Sequence, residues 1–152
     1  MRKASPRILI SAMVVAASLT AAAPALAASP HYLNGPTATL TNNSLVISWK
    51  AVGLGNTTAT ADFTLGGTVS TTSQCYTKNG NPVNGVPKTE TNNVSASGTF
   101  SVHNGQTTGS LSVSPLSTLT CTGNQHVVIQ SFSYDLTLNG DSLDPAHLTG
   151  SG

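Results

Sequence analysis

Charge is what this sequence has least of. Asp, Glu, Lys and Arg together make 7% of its 152 residues, against about 25% in an ordinary globular domain. Arginine occurs only at Arg2 and Arg7, and Glu90 is the only glutamate. A chain so poor in cations has no basic stripe to lay along phosphates or anionic lipid, which excludes nucleic acid and charged membrane surfaces as partners. Cysteine is limited to Cys75 and Cys121, far from the C-x-x-C spacing of a redox pair and too few for a thiolate metal centre. Aromatic residues make 5% of the chain. Beyond residue 27 no apolar run is long enough to cross a bilayer, and no window carries the 3.6-residue period of an amphipathic helix.

The first residues are a different text. Arg2, Lys3 and Arg7 form a basic start, Ile8 to Leu19 an apolar run, and Ala25-Leu26-Ala27 supplies small residues where signal peptidase needs them. Residues 1–27 are therefore expected to be a signal peptide cleaved between Ala27 and Ala28. Removing them leaves 125 residues, enough for one domain. It also leaves three lysines against five carboxylates, a net of −2 where the precursor carries +1. In an oxidising compartment Cys75 and Cys121 are expected to form a structural disulfide.

Ser, Thr, Val and Leu are abundant in residues 28–152, and the apolar ones recur in alternation. Thr37–Thr41 and Ser44–Ala51 read as strands joined by Asn42-Asn43, with Leu45, Ile47, Trp49 and Ala51 on one face. From Ala59 to Cys75 the inward parity is odd throughout, broken only by Gly66-Gly67, where a bulge or a three-residue loop would keep it. Lys78 to Asn93, with Pro82 and Pro87, reads as a loop. Val94 to Pro115 reads as a β-hairpin about a type I′ turn at Asn104-Gly105, in which Phe100 faces Gly109 and Ser97, Thr99 and Ser101 meet Ser112, Ser110 and Thr108 in a hydroxyl ladder. Gln125 to Leu138 reads as one strand whose parity flips, placing a bulge near Gln130-Ser131. Residues 28–140 are thus expected to form an all-β domain, an antiparallel β-sandwich of about seven strands, with an immunoglobulin-like arrangement as one variant. Trp49 precedes both cysteines, unlike the tryptophan of immunoglobulin domains. Residues 28–35 read as an unstructured lead-in and 141–152 as a polar C-terminal tail.

Catalytic and metal patterns are missing. His31, His103, His126 and His147 are scattered, without paired metal spacing, and no G-x-S-x-G elbow occurs. Asp62 and Asp135 lie on polar strand faces, and Asn139 to Asp144 lacks the ordered ligand pattern of a Ca²⁺ loop. No cofactor is implied. Two binding readings remain open. The loop Lys78 to Lys88, held near Cys75 and carrying two prolines, has the make-up of a protease-inhibitor loop directed at an enzyme cleaving after Lys. Tyr32 and Tyr76 are the aromatics left at outward parity for stacking on a sugar. The hydroxyl face of the hairpin reads as a neutral wet face.

The Trp49-Lys-Ala-Val-Gly-Leu-Gly55 run, Cys75 with Asn79-Gly-Asn-Pro82, Val94 to Phe100, Gly109 to Pro115 and Cys121 with Gly123-Asn-Gln125 resemble small secreted proteins of actinobacteria that have no characterised activity. The resemblance covers most of residues 37–138. It implies export, one cysteine pair and a β-rich fold, and it carries over no catalytic or binding residue. The expected function is that of a secreted, non-catalytic domain acting on a cell-wall component or an extracellular protein.

Overall fold

The computed structural model describes residues 29–56 and 59–152; the expected signal peptide, residues 1–27, and its expected cleavage point between Ala27 and Ala28 lie outside them. The alternating text becomes β1 (His31–Tyr32), β2 (Thr37–Thr41), β3 (Ser44–Val52), β4 (Thr60–Tyr76), β5 (Lys88–Ser101), β6 (Gln106–Val113), β7 (His126–Gly140) and β8 (Ala146–Ser151). Every pairing is antiparallel. In the first sheet β3 is central, with β6 along one edge and β2 and β1 sharing the other. The second sheet has the order β5-β4-β7-β8. Counting from β2, the first, second and fifth strands face the fourth, third, sixth and seventh. That is the immunoglobulin arrangement with its fourth strand moved beside the third.

The inward parity read from the sequence is the core. Leu45, Ile47, Trp49, Ala51, Leu111 and Val113 of the first sheet meet Phe63, Leu65, Val69, Leu136 and Leu138 of the second, all buried. At its centre the Trp49 ring lies 4.7 Å from Phe63 and 5.0 Å from Phe100. Each such pair contributes about 0.5–1.5 kcal/mol beyond burial.

Three features differ from the sequence reading. Gly66-Gly67 makes neither bulge nor loop, and β4 runs through as one strand of 17 residues. A side chain at Gly67 would start 2.1 Å from the Asp135 carbonyl oxygen, so glycine serves close backbone approach by β7. The Asn104-Gly105 turn forms, with φ of 50° and 71° and His103 and Gln106 bonded to each other at 2.9 and 3.0 Å. Its two arms do not pair, however: β5 joins β4 and β6 joins β3. Phe100 and Gly109 therefore meet across the sandwich, and the hydroxyl ladder is divided between opposite outer faces. Two strands with one apolar face each bury both faces best against each other, which a shared sheet does not allow.

The polar tail is also corrected, because residues 146–151 are strand β8 on β7. Leu143 and Leu148 are buried, and Gly150 and Gly152 leave room for the Tyr134 and Phe132 rings, which lie 6.2 Å apart with planes within 12°. Glycine at an inward place of the alternation is what made the segment read as polar. In the same way the lead-in contains β1, and the loop after Lys78 ends early, where β5 begins at Lys88. The bulge near Gln130-Ser131 is present: Thr72 faces Ser131 and Ser73 faces Ile129, leaving Gln130 extra.

Candidate functional site at the disulfide-tied loop end

Sandwich connections gather at two ends. At one end they are short and bonded to each other or to a strand end, Leu54 N–H donating to the Gly105 carbonyl at 3.0 Å and Asp141 N–H to the carbonyl of Asp62 in β4 at 3.1 Å. At the other end lie the two long connections, 77–87 and 114–125, beside the Asn42-Asn43 turn. The reason is strand length. With 17, 14 and 15 residues, β4, β5 and β7 outrun β3 and β6 with 9 and 8, so part of the second sheet's inner face needs other cover.

Residues 114–121 supply it. Leu116 and Ser117 are buried against that face, and their backbone is held by side chains rather than by a strand. Asn43 Oδ1 accepts from the Leu116 and Ser117 N–H groups at 3.0 and 2.9 Å, and its amide donates to the Ser117 carbonyl at 3.2 Å. Thr71 Oγ1 and Asn92 Nδ2 both donate to the Leu116 carbonyl, at 3.2 and 3.1 Å. Ser73 and Ser117 share a buried hydroxyl contact of 2.6 Å. Glu90 then clamps the next residue, Oε1 accepting from the Thr118 N–H and Oε2 from Thr118 Oγ1, while Lys88 Nζ sits 2.6 Å from the same Oε2. The Lys88 ammonium and the Thr118 N–H hold the Glu90 carboxyl down at about 2. Cys121 completes the attachment through its disulfide to Cys75, closing a separation of 46 residues.

On this base stands the 77–87 connection. Thr77 N–H donates to Asn81 O and Gly80 N–H to Thr77 O, both at 2.9 Å, forming a tight turn with Gly80 at φ 80°. Pro82 and Val83 return along β4, Val83 N–H donating to the Cys75 carbonyl at 2.9 Å. Gln74 Nε2 donates to the Val83 and Gly85 carbonyls at 3.0 and 3.4 Å. Between Val83 and Lys88 the chain projects as Asn84-Gly85-Val86-Pro87, and Val86 is 94% exposed. A cleft of about 170 Å³ separates this projection from Leu119, Thr120 and the disulfide.

Of the other residues singled out in the sequence, Tyr32 and His147 lie away from this site. Tyr32 packs on Phe63 at 6.5 Å, its hydroxyl donates to the Leu138 carbonyl at 3.4 Å, and burial raises it to about 12. Tyr76, by contrast, lies at this end: it pairs with Pro82 of the 77–87 connection, is half-buried, and its hydroxyl accepts at 3.3 Å from Gln130, which also bonds Gln74. His147 Nε2 lies 2.7 Å from Asp135 on the outer face of the second sheet, a pair with no signature in the sequence. Among the described residues the ring has no hydroxyl partner and no three His, Cys, Asp or Glu side chains gather as a metal site. Nor is any helix there long and apolar enough to cross a membrane. The roles of Asn43 and Asn92 could not be read ahead, because polar bonds spanning 24 to 74 residues have no periodic signature.

No protein-family profile matches this chain, and no curated protein matches it in sequence.

Proposed function

We propose that the protein is a secreted, non-catalytic β-sandwich that binds a cell-wall component or an extracellular protein through its disulfide-tied loop end. The observation that carries this is Val86, an apolar side chain 94% exposed at the tip of a connection braced on both sides. So exposed a side chain buries almost no area in the fold, and loops held on a rigid sandwich are where such domains place recognition. The leader pattern, the disulfide and the resemblance to small secreted actinobacterial proteins support an extracellular setting. The test is co-sedimentation with the producer's purified cell wall and pull-down from its secreted proteins. Retention by one fraction is expected; retention by neither overturns the reading.

A further inference from the structure

β5 is an edge strand without the usual guards. It pairs only with β4, and its 14 residues exceed the 8, 6 and 5 of the edges made by β6, β8 and β2. Exposed edges are normally blunted by charge, proline, a bulge or shortness. From Thr91 to Ser101 the strand carries no charge and no proline, and its register on β4 does not shift. The phase of the ladder follows from one bond. Val102 N–H donates to the Ala59 carbonyl at 2.9 Å, so even-numbered residues of β5 bond β4. Odd-numbered ones direct N–H and C=O away from β4, and the Ser101 carbonyl accordingly accepts from Thr107 Oγ1 at 2.9 Å. Among the described residues nothing pairs with the outward backbone of Asn93, Ser95, Ser97 or Thr99.

The core is also open along this side. Val94, Ala96 and Phe100 are only half-buried, whereas Ala61, Phe63 and Leu65 on neighbouring β4 are buried. The two-residue turn at Asn104-Gly105 keeps β6 on the same side, so free edges of both sheets border one opening.

We propose that this opening is a self-association surface, on which β5 of one copy pairs antiparallel with β5 of a second about a two-fold axis at Ala96. The strand itself specifies that partner. About such an axis Asn93 faces Thr99 and Ser95 faces Ser97, odd against odd as the free edge requires, giving about eight backbone bonds. Val94 faces Gly98, so a large inward residue meets a small one. Every facing side chain is neutral, and Lys88 and Glu90 stay outside the paired stretch. The two second sheets become one continuous sheet, and Val94, Ala96 and Phe100 of both copies close the opening. Because β5 leaves the disulfide-tied end at Lys88, the two loop ends lie at opposite ends of the pair. This goes beyond the binding reading and does not depend on it.

The experiment measures mass by light scattering and sedimentation over a concentration series of residues 28–152. A dimer that dissociates on dilution is expected. Ser97→Pro removes one outward N–H and spares the bonds to β4, while Ser95→Lys with Ser97→Lys brings ammonium groups of both copies together at the axis. Each change should weaken association by roughly 30-fold or more, the scale of a central interface residue, and Ser133→Lys on the outer face of β7 should not. Ala96→Cys should cross-link two copies through the residue that faces itself, read on a non-reducing gel, and Val94→Cys should not. A monomer at every concentration overturns the proposal and leaves the edge to a strand of another protein. A dimer that survives the paired lysines, or that cross-links equally through Val94→Cys, overturns it too.

Discussion

Glu90 shows how one residue can hold a loop end in place. Its two oxygens engage Lys88 and Thr118, and these contacts lower it from 4.5 to about 2. Because the folded value is the lower one, the unfolded chain binds more protons between them. The stabilisation is therefore complete above about 4.5 and is lost as pH falls towards 2. Urea midpoints measured across that window should drop for the wild type, and Glu90→Gln should lower the neutral-pH midpoint and flatten the drop. Parallel curves for the two proteins would show that Glu90 does not hold the segment. Gly109 makes a steric counterpart. A Cβ there would lie 2.7 Å from the Phe100 ring and 2.8 Å from Trp49, so Gly109→Ala should cost about 1–3 kcal/mol by overpacking. Adding Phe100→Leu should recover part of that loss, measured in the same denaturation assay.

Among the strands, the legible part of the sequence was its period of two. Leu45, Ile47, Trp49, Phe63 and Leu65 declared their faces, and the flip at Gln130 declared its bulge, because each buried side chain repeats a local rule. Which sheet each strand joins obeys no local rule. The Asn104-Gly105 turn looks the same whether its arms pair or part, and only the competing edges of β3 and β4 decide. β8 escaped because its inward places hold Ala146, Leu148 and Gly150, one large apolar residue among small ones. Its weight is measurable. Leu148→Ala should cost about 2–4 kcal/mol, whereas a change of the same size in a solvated tail would leave the denaturation midpoint where it was.

The molecule carries its long connections on one end and ties them with one covalent link. Replacing both Cys75 and Cys121 by Ser should lower unfolding stability by about 4 kcal/mol on the chain-entropy estimate for 46 residues, read as a shift in urea midpoint. The same variant should lose partner binding before it loses the fold, since segment 114–121 and the 77–87 connection share that anchor. The exposed tip was out of reach of the sequence, which shows that Val86 is apolar but not that it faces water. Recognition through this end is tested by comparing two altered proteins with the wild type in one binding assay. One carries Val86→Asp at the disulfide-tied end, and the other Thr108→Asp on an outer face away from it. Against the producer's cell wall and secreted proteins, Val86→Asp should lose retention while Thr108→Asp binds like the wild type. Equal retention of all three would place recognition elsewhere on the molecule and contradict a binding role for the Val86 tip.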